Sequence, residues 1–233
     1  MDSFKKLEIW FLTGSQHLYG QETLNKVAEN AHHIVHYLKN NLPIQLIFKP
    51  VLKSSEEIYQ LILDANYTTD CIGIITWMHT FSPSKMWING LKILQKPLCH
   101  LHTQFNRDIP WNNIDMDFMN LNQSAHGDRE FGYILSRMKI PRKVIVGHWQ
   151  NERVSSQLND WTRAILGWHD LQNAKFVRFG DNMRQVAVTE GDKVEAQITF
   201  GFQVNTHGIG DLVSEIDQVK ASEIDDLCEI YIQ

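Results

Sequence analysis

Histidines, amides and hydroxyls fall at a recurring point in this 233-residue sequence, immediately after short apolar runs. Ser15, Gln16, His17 and Tyr19 follow the first run, His79, Thr80 and Phe81 the third, and His102, Thr103 and Gln104 the fourth. His148 and Trp149 follow the fifth, and Asp181, Asn182 and Met183 the sixth. Most of these groups exchange hydrogen bonds without a fixed charge, and the interleaved rings offer flat apolar faces. That mixture suits a neutral ligand with many hydroxyls better than an anion. A sugar or polyol is the ligand class indicated, against the plainer reading that loop tips are polar wherever they occur.

Three further constellations could carry chemistry. His100 and His102 share one strand face at i, i+2, with His79 near an adjacent strand end. They read either as metal ligands or, more commonly for such positions, as members of a satisfied hydrogen-bond network, since no Asp or Glu stands close in sequence to complete a site. Asp115 and Asp117 could pair as carboxylates, although two Asp flanking a Met in a loop are mostly turn formers. His126-Gly127, placed ahead of a helix expected from Asp128 to Met138, could aim an imidazole and free helix amides at a ligand, and is the strongest single candidate. Neither G-x-G-x-x-G nor a P-loop is present, which disfavours a nucleotide.

Positioning these residues requires strands whose ends lie side by side. Leu7 to Leu12, Ile44 to Leu52, Cys71 to Met78, Lys96 to His102 and Lys143 to Val146 read as strands. Between them lie amphipathic helices: Leu24, Val27, Ala31, Ile34, Val35 and Leu38 recur at three-and-four spacing, and Ser54-Ser55-Glu56-Glu57 offers a capping box ahead of Ile58, Leu61 and Ile62. Ser82-Pro83 opens a third helix, and Val154, Leu158, Trp161 and Ile165 line a later one. Near-continuous apolar strands alternating with such helices predict an α/β fold, a doubly wound parallel sheet of the flavodoxin or Rossmann type, over residues 1–172. Residues 104–125, rich in Asn, Asp, Gln and Trp, break the rhythm and mark a candidate site. From residue 173 a second, incomplete α/β domain begins, read as one strand followed by a hairpin over Val186 to Phe202 that exposes apolar surface. Trp10, Trp77 and Trp161 are expected in the core.

Composition narrows the function classes. Hydrophobic residues make up 43% and charged residues 21% of the sequence, enough for a globular core. The net charge of -5, with Lys and Arg scattered singly, argues against nucleic acid as a partner. No apolar run reaches the ~18–20 residues of a membrane span, and Met1 to Lys6 leads into a strand without a signal-peptide core, so a cytoplasmic protein is expected. Cys71, Cys99 and Cys228 are odd in number and far apart, which favours free thiols over a disulfide or a zinc site.

Four longer segments are more specific. Trp10–Gly20 (WFLTGSQHLYG), His79–Gly90 (HTFSPSKMWING), Asp115–Gly127 (DMDFMNLNQSAHG) and Arg178–Arg184 (RFGDNMR) resemble, in this order, signature segments of bacterial L-arabinose isomerases, and the resemblance weakens after about Leu212. It implies a cytoplasmic aldose-ketose isomerase converting L-arabinose to L-ribulose, assembled as a homo-oligomer, typically a hexamer, with sites shared between subunits. It also implies a Mn2+ ion held by two Glu and two His while carboxylates move a proton between C1 and C2 through an enediol. No motif for those four ligands occurs in this sequence, so the expectation is an N-terminal portion that has no catalytic or metal residue of its own and is inactive alone.

What the resemblance carries over is a sugar-facing wall. Gln16, Gln123 and His126 would hydrogen-bond hydroxyls, and Leu18, Tyr19, Phe81 and Met183 would shape the pocket. A non-catalytic sugar-binding or oligomer-assembly module is the alternative. A nucleotide-binding flavodoxin-like regulator is a third reading, weakened by the missing phosphate loop.

Overall fold

A computed structural model describes residues 6–180, 182–187 and 190–232. In chain order the first elements are β1 (Glu8–Thr13), α1 (Gly20–Leu38), β2 (Gln45–Phe48), α2 (Ser55–Tyr67), β3 (Cys71–Trp77), α3 (Ile88–Ile93) and β4 (Leu98–His102). They continue with α4 (Met116–Leu121), α5 (Ser124–Arg137), β5 (Lys143–Val146) and α6 (Glu152–Leu171). All pairings in the five-stranded sheet are parallel, in the order β2-β1-β3-β4-β5. This is the flavodoxin-like order, in which the winding reverses between β1 and β3.

The strands are apolar throughout because both faces are covered. β3, at the centre, is buried at every residue. On one face Phe11, Ile75 and Trp77 pack with Ala31 and Ile34 of α1 and Leu158 and Trp161 of α6. On the other, Leu12, Ile74 and Met78 pack with Ile58 and Ile62 of α2, Leu91 of α3 and Phe131 of α5. Trp10, Trp77 and Trp161 lie in the core. A Cβ at Gly73 would come within 2.6 Å of Ile165, so the glycine lets α6 lie against the middle of the sheet. Ser54 caps α2, accepting the Glu57 N–H at 3.2 Å, while Glu57 accepts the Lys53 N–H at 2.7 Å. The second strand is shorter than its apolar run: β2 ends at Phe48, ahead of Pro50, which has no N–H to give a ladder, and Leu52 returns as an isolated bridge to Gly14.

The described residues divide into two compact units at Leu166 and Gly167. The second unit contains β6 (Lys175–Phe179), α7 (Lys193–Phe200), β7 (Gln203–His207), α8 (Ile209–Ile216) and α9 (Ala221–Ile232). The expected hairpin over Val186 to Phe202 is not formed. Its second arm is the helix α7, and β6 pairs parallel with β7 instead. The caps decide: Asp192 accepts the Glu195 N–H at 2.9 Å and Gly201, at φ +84°, closes the C-terminus, so alternation of apolar residues gives way to a helix with Val194 and Ile198 on one side. Val194, Ile198 and Phe200 are exposed apolar residues as expected, but on a helix. Val188 and Thr189 of that expected hairpin lie outside the described residues, as do Met1 to Lys5 and Asp181.

Candidate functional site

Parallel pairing brings the polar residues after β1, β3, β4 and β5 to one edge of the sheet. Ser15 and Thr80 are fully buried there, joined by a 2.8 Å bond in which the Thr80 hydroxyl donates to Ser15 Oγ. Beyond β4 and β5 the edge opens into a cavity of about 780 Å³ lined by His102, Gln104, Ile114, Phe118, Gln123, His126 and His148, among others. Its wall is the irregular segment after β4, where Asp115 caps α4 by accepting the Phe118 N–H at 2.8 Å. Asp115 is thus a capping residue, as a turn-forming Asp should be.

Phe81, Gln123 and His126 come together at this rim. The Gln123 N–H donates to the His79 carbonyl at 2.9 Å, tying the start of α5 to the end of β3. The His126 ring stacks on Phe81, with centroids 4.6 Å apart at 27°. One expectation is corrected: α5 begins at Ser124, four residues earlier than Asp128, so His126 lies within its first turn. Gln123 O accepts both the His126 N–H at 3.0 Å and the Gly127 N–H at 2.7 Å, so these amides are spent inside the turn and do not form an anion site. The exposed imidazole remains available.

Gln16, Leu18 and Tyr19 occupy a short 3-10 turn between β1 and α1, with Gln16 and Tyr19 half-buried and Leu18 84% exposed. They do not line the cavity beyond β4 and β5. Met183 belongs to the second unit and is 65% exposed after β6.

The three histidines considered as ligands are parted by the sheet itself. His79 lies on the α1 face, stacked on Trp77 at 4.5 Å, with Asn30 Nδ2 at 2.8 Å from its Nε2. Burial drives its pKa down to about 3, so the ring is neutral. His100 lies on the opposite face, edge-on to Phe131 and stacked parallel to His102 at 5.9 Å. Among the described residues no group of three or more His, Cys, Asp or Glu could hold a metal ion.

His100 does have a carboxyl partner, supplied from 28 residues away. Asp128 Oδ1 stands 2.8 Å from His100 Nε2 and accepts the Met78 N–H at 3.1 Å, and its Oδ2 is buried without a partner. Burial pushes the His100 pKa down to about 3, helped by His102 and Arg142, and raises the Asp128 carboxyl well above the usual range against the pull of the Met78 N–H. Burial thus works against charge on both partners of this hydrogen bond. Sequence reasoning missed this pair, yet a signal existed. Asp128 falls on the inward stripe Ser124, Gly127, Asp128, Phe131 and Leu135, where a charged residue is out of place unless it is bonded. Asn30 interrupts the stripe of α1 in the same way.

Comparison with known proteins gives two family matches: the model of the L-arabinose isomerase N-terminal domain over residues 3–173, and that of the L-arabinose isomerase central domain over residues 175–233. Among curated relatives, an L-arabinose isomerase of Herpetosiphon aurantiacus is 58% identical, over 100% of this chain and 47% of the relative. Those of Flavobacterium johnsoniae and Koribacter versatilis are each 57% identical over 99% of this chain, and over 46% and 47% of themselves. The chain spans about half the length of the curated relatives it matches. The similarity continues through the last third of the sequence, beyond Leu212. Among the described residues no helix is long and apolar enough to cross a membrane.

Proposed function

Because the chain belongs to the L-arabinose isomerase family, we propose that it serves the aldose-ketose isomerisation of L-arabinose to L-ribulose by supplying the sugar-facing wall of the site. The observation that carries this reading is the stack of His126 on Phe81, with His126 and Gln123 bordering a cavity whose lining mixes apolar side chains, amides and imidazoles with Arg107 and Asp108. A pentose presents hydroxyls around its edge and C–H groups on its faces, and amide and imidazole groups beside an aromatic ring answer both. Gln123 and His126 bond hydroxyls and Phe81 covers a C–H face. By the resemblance alone we assign Gln16 a hydrogen-bonding role and Leu18 and Tyr19 a shaping role, all three outside this cavity, and Met183, in the second unit, a shaping role.

A divalent ion such as Mn2+, when bound beside the sugar, polarises its oxygens and lowers the barrier to proton transfer. The described residues hold no donor set that fits such an ion, so we propose that its ligands lie outside them. The work left to this chain is to orient the open-chain sugar and keep water from its carbon atoms. Assembly as a homo-oligomer, a hexamer by resemblance, in the cytoplasm belongs to the same proposal. So does the inactivity of the 233-residue chain alone.

Calorimetric titration of the chain with L-arabinose tests the reading, paired with an assay for ribulose in the presence of manganese. Binding that weakens in Gln123→Ala and His126→Ala, without turnover, is expected. Turnover by the chain alone would refute the assignment of the ion's ligands, and absence of binding by a folded chain would refute the wall.

A further inference from the structure

The first turn of α5 carries two wall residues, yet nothing in the sugar-facing reading says what holds that turn in place. Three ties join it to the end of β3. The Gln123 N–H donates to His79 O at 2.9 Å, and Asp128 Oδ1 accepts the Met78 N–H at 3.1 Å. Between them Gly127 lies so close that a Cβ there would stand 2.7 Å from Thr80 O and 3.1 Å from Met78 Cβ. Asp128 reaches a second strand through His100 of β4, whose ring is wedged between Phe131 and His102.

We propose that Asp128 is a positioning residue: its carboxyl group, bonded to the Met78 N–H and to His100, clamps the first turn of α5 to the end of β3 and the middle of β4 and so sets His126 against Phe81. His126 sits two residues before Asp128, and Phe81 three after Met78, so the clamp spans the backbone that carries both rings. An apolar side chain at 128 would suit the stripe but leave the Met78 N–H and His100 Nε2 buried without partners. Apolar packing also tolerates slippage, whereas two directional bonds from one oxygen fix both the rotation and the height of the helix. That explains why a buried carboxyl occupies a position where Leu or Ile would be easier to desolvate.

This proposal rests on the reading of Gln123 and His126 as sugar-facing residues, and its test separates the two. The 233-residue chain, labelled at histidine Cε1 and without sugar, gives a His126 signal assigned by its loss in His126→Gln. Shielding by Phe81 should place that signal away from its position in the urea-unfolded chain. Asp128→Ala should move it toward the unfolded position while the chain stays folded, and Asp128→Asn, which keeps an acceptor for Met78, should hold it. Ile62→Ala, a deletion in the core under α2, should lower the Tm and leave the signal alone.

If Asp128→Ala does not fold, Gly127→Ala forces open the same seam and should move the signal likewise. A signal unmoved in the folded variant, or moved equally by Ile62→Ala, overturns the clamp. Titration with L-arabinose then reads its consequence: affinity is expected to fall roughly tenfold or more in Asp128→Ala and to be unchanged in Ile62→Ala. Wild-type chain that binds no L-arabinose, with the signals as described, removes the sugar reading and leaves the clamp standing. Binding that Asp128→Ala leaves intact overturns the bearing of the clamp on the site.

Discussion

Replacing His79 by Gln removes one titrating group from the sealed interior of the first unit while leaving a side chain that can still meet Asn30. His79 is 0% exposed, and burial lowers its pKa from 6.5 to about 3. In the unfolded chain the imidazole regains its ordinary value, so below pH 6.5 the unfolded state binds a proton that the folded state refuses, and stability falls as the pH drops from 6.5 toward about 3. At pH 5 the unfolded chain gains about 1.5 pH units of proton binding, which at about 1.4 kcal/mol per unit destabilises the fold by about 2 kcal/mol. At pH 7.5 the same term is only about 0.1 kcal/mol. Urea unfolding at both pH values, followed through tryptophan emission, gives the loss for wild type and for His79→Gln. Other titrating groups are common to both proteins and drop out of the difference. Wild type should lose about 2 kcal/mol more than the variant. Parallel losses would mean that His79 protonates in the folded protein, and the sealed, neutral stack on Trp77 would be wrong.

Thiol accessibility is the next check: Cys71 and Cys99 are buried, with pKa values pushed up to about 11 and about 12 by burial, while Cys228 is exposed. An aromatic disulfide reagent at pH 8 should therefore titrate one thiol quickly in the native chain and the other two only after denaturant. Gly14→Ala should lower stability by about 1–3 kcal/mol in a urea titration, because its Cβ would meet Ser82 Oγ at 2.5 Å and Met78 Sδ at 2.8 Å in a packed core. Ser54→Ala should cost about 1 kcal/mol in the same assay by freeing the Glu57 N–H, with a larger loss of hydrogen-exchange protection in α2 than elsewhere.

Periodicity made the first unit legible because both faces of its sheet are covered. Strands such as Cys71–Trp77 must then be apolar at every residue, and α1 and α6 must carry three-and-four stripes. What misled was competition between patterns. The run from Val194 alternates like a strand, but Asp192 and Gly201 cap it as a helix, and α5 starts early because a Gln123 carbonyl can open a turn as well as a capping side chain can. At the site, strand-end residues could be named because the topology fixes where strand ends go. Which of them converge depends on side chains from distant segments, such as Phe81 on His126 and Asp128 on His100. Spacing along the chain carries no information about either pair until the fold is known.

The position of the cavity follows from how the reversal point of the sheet is filled. In a sheet of this order the crevice between the ends of β1 and β3 is where phosphates commonly settle, held by free backbone amides. Here the Ser15 N–H is spent on Leu52 O at 2.8 Å, and the Ser15 and Thr80 hydroxyls bond to each other. Close packing of Gly14 against Met78 and Ser82 fills the remaining space. A ligand anchored by a phosphate would have to break these bonds and displace buried side chains. The opening instead lies two strands away, beyond β4 and β5, where the segment from Gln104 to Gln123 stands off the sheet and the exposed imidazole of His126 and the Gln123 amide border open space. The same hydroxyl pair that closes the phosphate crevice also fixes Thr80, on whose carbonyl Gly127 packs, and so carries the alignment of β1 and β3 into the first turn of α5. Closing one crevice and shaping the other are in this way a single packing solution.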